Sequence, residues 1–125
     1  MQVDALRTID PNNAPSLAPD DRPIDLVHLA RTTLGDRSLE REVLQLFDRQ
    51  SALLIVRLRD AGPERVAMIA HTMKGSARGI GAWRVARAAE AVEVAGGTQI
   101  GAALERLAAA TDEARAVIAD LLKAN

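Results

Sequence analysis

Two histidines, His28 and His71, are the only side chains in this chain that could act as imidazole nucleophiles. The chain has no cysteine, so thiolate nucleophiles, disulfide bonds and thiolate metal sites are excluded. An unperturbed imidazole, with a pKa of roughly 6.5, is largely neutral near pH 7 and can attack phosphorus through a ring nitrogen. The environment of each histidine therefore decides what chemistry the chain can support.

His71 is predicted to point toward solvent from a helix that carries cations on the same face. At about 100° per residue, Ile69 and Met73 lie on the core side, and His71 points about 160° away from each. Lys74 and Arg78 follow at spacings that place them beside His71. A phosphorylated imidazole carries a charge of about −2, which Lys74 could offset through a charge-assisted hydrogen bond. Arg78 could add a longer-range attraction.

Gly75 stands out in the same helix because a glycine there costs about 1 kcal/mol relative to alanine. Its position beside His71 indicates that another backbone or protein surface must approach closely at this point. The small residue Ser76 follows it. An alternative interpretation is that Gly75 marks an early helix end or a tight contact between helices.

His28 has a weaker claim to chemistry than His71. Arg31 follows it at the third position, but Thr32 stands where a glycine would be required. We therefore expect His28 to be a partly buried helix residue that packs against the end of the domain. We expect Trp83 to be a core or lid residue.

The pattern of apolar residues predicts helices and no strands. The first predicted helix is Ile24–Leu34, and the second begins after Asp36 as its N-cap and ends at Ala61. The third is Glu64–Arg78, ended by Gly79 and Gly81. The fourth runs from Ala82 to the Gly96-Gly97 turn, and the fifth is Ile100–Leu121. The long second helix has a stripe formed by Val43, Phe47, Leu54, Leu58 and Ala61, widened by Leu46 and Leu53. In the last helix the stripe alternates steps of four and three residues, as in helices packed nearly antiparallel.

We predict an all-α fold, an antiparallel four-helix bundle with a short additional N-terminal helix, in residues 23–125. Residues 1–22, which contain Pro11, Pro15 and Pro19, are predicted to be a flexible arm.

The composition fits one helical domain and argues against several classes of partner. Hydrophobic residues make up 48% of the 125 residues, but Phe47 and Trp83 are the only aromatics. The net charge of −1 gives no general attraction to nucleic acid or anionic membranes. No apolar run is long enough to span a membrane, and no signal peptide is recognised. The expected location is the cytoplasm.

The run AHTMKGSARGIG, Ala70–Gly81, closely resembles the signature of histidine-containing phosphotransfer (HPt) domains. That signature has a histidine, a lysine and a glycine at the third and fourth positions after it, a small residue next, and a glycine closing the helix. The following segment, with Val85, Ala89, Val92 and Glu93, is similar to the continuation of the family. The resemblance extends over about Ile24 to Leu122 in helix order and is specific over Ala70–Glu93.

The resemblance implies that His71 is the phosphoacceptor, through the ring nitrogen distal to the main chain. It also implies that Lys74 steadies the phosphoryl group and that Gly75 admits the partner. The function implied is a relay of a phosphoryl group between receiver-domain aspartates of a two-component phosphorelay. The partners expected are response-regulator receiver domains or a hybrid histidine kinase, and the chain is expected to be a monomer. Our own reading of the surface places partner contacts at Met68, Ser76, Arg78, Arg84 and Arg87.

The chain has no acidic cluster for Mg²⁺ beside His71 and no Walker-type loop. We therefore expect a carrier without ATP-dependent kinase activity that binds no cofactor itself, the Mg²⁺ being held by the receiver domain. The main alternative is a helical adaptor that docks a partner without carrying phosphate, which leaves the pairing of His71 with Lys74 as a coincidence. A sensor-kinase dimerisation helix is disfavoured because Thr72, and not an acidic residue, follows His71. Metal and nucleic-acid sites are disfavoured by the lack of converging ligands and of aromatic side chains among the arginines.

Overall fold

Five α-helices follow one another in the computed structural model, which describes residues 22–124. They are α1 (Leu26–Thr32), α2 (Arg37–Asp60), α3 (Pro63–Ile80), α4 (Trp83–Val94) and α5 (Ile100–Lys123), with a 3₁₀ turn at Gly97–Gln99 before α5. The predicted all-helical bundle is confirmed. Nearly all of the predicted N-terminal arm, residues 1–22, lies outside the described residues, as does Asn125. Over the described range, no helix combines the length and the apolar character needed to cross a membrane.

The four long helices enclose one core. α3 contacts α2 and α4, and α5 contacts the same two helices, so each long helix has two neighbours. Short connections between successive helices make these neighbours antiparallel, and α1 packs on α3. The largest fully buried side chains come from all four long helices and are Leu58, Met73, Leu107, Ile118, Val85, Val92, Thr111 and Ser51.

The apolar stripes are confirmed in α5 and only partly in α2. In α5, Leu107, Thr111, Ala114 and Ile118 are buried, as the alternating spacing predicts. In α2, Phe47 and Leu58 are buried, and Val43, Leu54 and Ala61 pack against the core. The prediction that Leu46 and Leu53 widen this stripe is wrong, because their exposed fractions are 46% and 49%. Both residues lie on the outer edge of α2, so they leave apolar surface open to a partner.

Two predicted helix ends are corrected by the structure. α1 is shorter than predicted: Asp25 is its N-cap, and Leu34 and Gly35 both have left-handed backbone conformations after its end. α3 runs through Gly79 to Ile80 and ends at Gly81, whose φ is +80°. An ideal Cβ on Gly81 would lie 3.0 Å from the carbonyl oxygen of Asp25, so glycine is required at this contact between α1 and α3.

Asp25 fastens α1 to the start of α4. Its carboxylate accepts a hydrogen bond from the backbone N–H of His28 at 3.1 Å and another from Trp83 Nε1 at 2.9 Å. The hydrogen bond from Trp83, followed by that from His28, lowers the pKa of Asp25. The His28 ring meets Trp83 edge-on with centroids 4.8 Å apart. His28 is therefore a half-buried packing residue, as predicted.

The Asp25→Asn variant is expected to lose about 1–2 kcal/mol of unfolding free energy at pH 7. Asparagine still caps α1, but its amide cannot replace the charged acceptor of the Trp83 N–H. Because folding lowers the pKa of Asp25 from its ordinary 3.8, this stabilisation is present above pH 3.8 and is lost as the pH falls through the folded value. Urea unfolding followed by circular dichroism from pH 7 to pH 2 checks this. A difference between the two proteins that persists unchanged at pH 2 would contradict it.

Candidate functional site

His71 lies near the middle of α3 and points away from the core. Its side chain is 68% exposed. Its neighbours Ala70 and Met73 are fully buried, so the helix is anchored on the opposite face. The structure thus confirms that His71 points outward, as the helical spacing predicts.

Glu93 of α4 joins His71 and Lys74 through a single carboxylate. Its Oε2 lies 2.8 Å from His71 Nδ1, and its Oε1 lies 2.8 Å from Lys74 Nζ. The ion pair with Lys74, followed by the hydrogen bond from His71, holds the pKa of Glu93 below its ordinary range. An ionised carboxylate can only accept hydrogen bonds, so Nδ1 of His71 carries the proton. The lone pair of neutral His71 is then on Nε2, the atom farther from the backbone.

Lys74 is less exposed than the sequence suggested. It follows His71 by three residues, but only 14% of its side chain is accessible because the chain leans toward α4 to reach Glu93. The ammonium group therefore lies close to His71 and is paired with the same carboxylate that His71 contacts. A lysine with a flexible stem can change partners without movement of the helix backbone.

Gly75, one turn after His71, and Gly79, two turns after it, carry no side chain and leave parts of the α3 backbone bare. Both lie within the helix, and a Cβ added to either would find no atom of a neighbouring part of the structure within 4 Å. The alternative interpretation of Gly75, as a helix end or as a contact between helices, is therefore wrong for the described residues. Met68, on the same outer face, is 61% exposed. This strip of α3 is open to an approaching surface.

The other predicted contact residues lie on different sides of the bundle. Ser76 faces α2, where it lines a groove of about 290 Å³ together with Leu39, Leu46 and Gly79. Arg78 Nη2 lies 3.9 Å from Glu90 Oε1, on the α4 side of His71.

The two arginines of α4 differ in their placement. Arg84 Nε lies 3.3 Å from Glu113 Oε1 of α5, so Arg84 belongs to the edge of α4 that faces away from α3. Arg87 is exposed on α4. The structure therefore does not bring Arg84 together with His71. Within residues 22–124, no group of three or more acidic or histidine side chains could hold a metal ion.

Glu93 is the residue that sequence reasoning left without a role. It appeared only as part of the helix that follows the signature, because 22 positions separate it from His71. A geometric signal was nevertheless present: His71 lies eleven residues before Ala82, and Glu93 lies eleven residues after it. Two antiparallel helices that meet at a tight turn bring such equidistant residues to the same level.

Comparison with known protein families matches residues 37–123 to the Hpt domain, and this range covers more than half of the chain. No curated protein and no solved structure gives a significant match. Hpt domains are histidine phosphotransfer modules of two-component signalling, and they act as phosphocarriers and not as kinases. Because the chain folds as a helical bundle and the family match covers more than half of it, the chain belongs to the Hpt domain family.

Proposed function

We propose that this chain carries a phosphoryl group on Nε2 of His71 and relays it between the aspartates of receiver domains. The observation that supports this most directly is the contact between His71 Nδ1 and the Glu93 carboxylate at 2.8 Å. It gives the exposed imidazole a defined tautomer, with the free lone pair on the outer nitrogen. A histidine that served only as a surface residue would need no such partner.

Phosphoryl transfer requires the attacking and leaving atoms to lie in line, with charge stabilised around a loose transition state. His71 supplies the attacking Nε2. The receiver domain supplies the phosphorylated aspartate and, we propose, the Mg²⁺ that neutralises the phosphoryl oxygens. In the reverse step a second receiver aspartate attacks the phosphoryl group on His71. The present chain thus contributes a nucleophile and a cation to a site that the partner completes.

Lys74 is the cation that this proposal assigns to the phosphoryl group. Its Nζ is held at Glu93 in the unphosphorylated protein, one helical turn from His71. A phosphoryl group on Nε2 offers oxygens with more negative charge than one carboxylate. Lys74 then turns from Glu93 toward these oxygens and forms a charge-assisted hydrogen bond.

Lys74→Ala is expected to lower the extent of phosphorylation of His71 by on the order of tenfold or more, the effect of removing one charged hydrogen bond. The bundle should remain folded, because Lys74, although only 14% of its side chain is accessible, is not among the buried core side chains. Quantifying labelled protein after incubation with a phosphorylated receiver domain measures the effect. Lys123→Ala, which changes the only other lysine of the chain, is the matched control. Equal labelling of the two variants would remove Lys74 from the site.

The surface proposed to receive the partner is called here the docking face: Met68, Gly75, Ser76 and Gly79 of α3, with Leu39 and Leu46 of α2. The two leucines are 40% and 46% exposed and border the groove that Ser76 and Gly79 also line. Exposed apolar side chains beside bare backbone form a surface suited to close packing with another domain. Arg78 lies near its edge and can contribute charge complementarity, whereas Arg84 faces α5.

Incubation of the purified chain with phosphorylated receiver domains tests the proposal directly. The label that moves to the chain should be lost in acid and survive base, since the bond is a phosphoramidate at a histidine. A label that survives acid would point to a hydroxyl such as that of Ser76 and would contradict the assignment. The direction of transfer can be read by adding an unphosphorylated second receiver.

A helical adaptor that never carries phosphate remains the alternative, and the open docking face is the observation that favours it. A partner could pack against the bare backbone and the exposed leucines without any transfer of a phosphoryl group. The adaptor does not account for a carboxylate placed between His71 and Lys74. Binding of receiver domains without any transfer of label would favour the adaptor.

A further inference from the structure

The carboxylate of Glu93 has a consequence for the phosphorylated state as well as for the free imidazole. Its side chain is 22% exposed, so it is partly shielded from water, and it lies directly across Nδ1 of His71. The ion pair with Lys74 and the hydrogen bond from His71 keep the pKa of Glu93 low, so it is ionised at neutral pH. A fixed negative charge therefore faces the ring nitrogen that does not carry the phosphoryl group.

The bond changes at His71 define what that charge acts upon. Nε2 donates its lone pair to phosphorus, the N–P bond forms, and the P–O bond to the donor aspartate breaks with its electron pair remaining on the carboxylate. Nδ1 still carries its proton at this point, so the ring has become a positively charged phosphoimidazolium. The ring can then keep that proton or release it to water.

The fate of the Nδ1 proton decides how readily the phosphoryl group leaves. If the proton stays, breaking the N–P bond returns the electron pair to Nε2 and the ring departs as neutral imidazole. If the proton is lost, the ring has to depart as an imidazolate anion, which is a much poorer leaving group. The protonated ring is therefore the form from which a phosphoryl group is passed on.

We propose that Glu93 retains the Nδ1 proton of phosphorylated His71, so that the phosphoryl group is held in its transferable form at neutral pH. This inference rests on the proposed function, in which His71 is the phosphoacceptor. Glu93 acts on the ring and does not touch the phosphoryl group, so it is a positioning residue. An opposite charge at hydrogen-bond distance favours the charged form of its partner.

The other charged groups near the ring come from α3 and α4. Lys74 disfavours a positive ring, but it turns toward the phosphoryl oxygens once these are present. Arg78 and Glu90 pair with each other at 3.9 Å and largely cancel. α2 meets α3 on the flank that carries Ser76, at the groove and away from Glu93. Glu93 is thus the charge placed to act on Nδ1 itself.

The pH dependence of phosphohistidine loss tests this inference without a protein partner. The full chain is phosphorylated with phosphoramidate, a small-molecule phosphoryl donor, and loss of the label is followed by ³¹P NMR from pH 5 to pH 10. In Glu93→Gln the side chain keeps its size and its oxygen acceptor but loses its charge. We expect the pH at which loss slows to fall by about one unit, so that at pH 8 the label survives about tenfold longer than in the native chain.

Glu105→Gln is the matched control, since it removes an ion-paired carboxylate whose pKa is also lowered but which pairs with Arg59 and makes no contact with His71. Its pH profile should follow that of the native chain. Coincident profiles for Glu93→Gln and the native chain would overturn the inference while leaving His71 as the acceptor. If His71→Gln were labelled as strongly as the native chain, the proposed function would be overturned instead.

Discussion

The His71→Gln variant is expected to fold like the native chain and to take up no label from a phosphorylated receiver domain. The His71 side chain is 68% exposed and contributes nothing to the core, so the free energy of unfolding should change by no more than about 0.5 kcal/mol. Glutamine can still donate a hydrogen bond to Glu93, but its amide nitrogen has no lone pair available to attack phosphorus. Autoradiography after incubation with the labelled receiver, together with thermal unfolding, measures both effects.

His28→Gln is the corresponding control because it removes the only other imidazole. It should keep full labelling, although it disturbs the contact with Trp83 and so lowers stability. Label retained by His71→Gln and lost from His28→Gln would reverse the assignment of the two histidines. Labelling of both variants would place the phosphoryl group on some other side chain.

The Gly75→Ala variant is expected to become more stable and, at the same time, a poorer phosphoryl carrier. Alanine in the interior of a helix is favoured over glycine by about 1 kcal/mol, and the new methyl group meets no neighbour within 4 Å. In the complex the methyl group intrudes between the α3 backbone and the partner, and overpacking of this kind typically costs about 1–3 kcal/mol. Transfer should therefore slow by about tenfold or more. Urea unfolding and single-turnover transfer measure the two changes separately.

Gly101→Ala is the control that separates the effect of a methyl group at the proposed partner contact from the general effect of replacing a helix glycine with alanine. Gly101 lies in the first turn of α5, and a methyl group there also meets nothing within 4 Å. This variant should leave transfer unchanged, with a stability gain no larger than that at Gly75. A transfer rate for Gly75→Ala equal to that of Gly101→Ala would show that close approach is not the reason for the glycine.

The fold was predictable because its main signal is periodic. The alternating spacing of Leu107, Thr111, Ala114 and Ile118 fixes the buried face of α5, and all four are buried. Apolar character alone does not say what a residue faces, which is why Leu46 was assigned to the core when it lies at the docking face. Helix ends were harder to predict, since one glycine costs a helix only about 1 kcal/mol and α3 continues through Gly79 to Ile80.

The candidate site was predictable only along one helix. Spacing within α3 placed His71 outward and Lys74 one turn away, because neighbours on a helix surface follow from 3.6 residues per turn. The lean of Lys74 toward α4 and the contact of His71 with Glu93 depend on how α3 and α4 pack. Such contacts join residues distant in the chain, so they require the register between two helices, which single-helix patterns do not specify.

The tight connection after α3 also sets a length constraint on this region of the gene. Because His71 and Glu93 are equidistant from Ala82, Glu93 lies level with the imidazole only at the present spacing, and inserting or deleting one residue within α4 before Glu93 would turn Glu93 by about 100° about the helix axis relative to the first turn of α4. Glu93 would then leave the imidazole although neither side chain had been altered. In such an indel mutant the chemical groups would all be present in the sequence, and only their alignment would be lost.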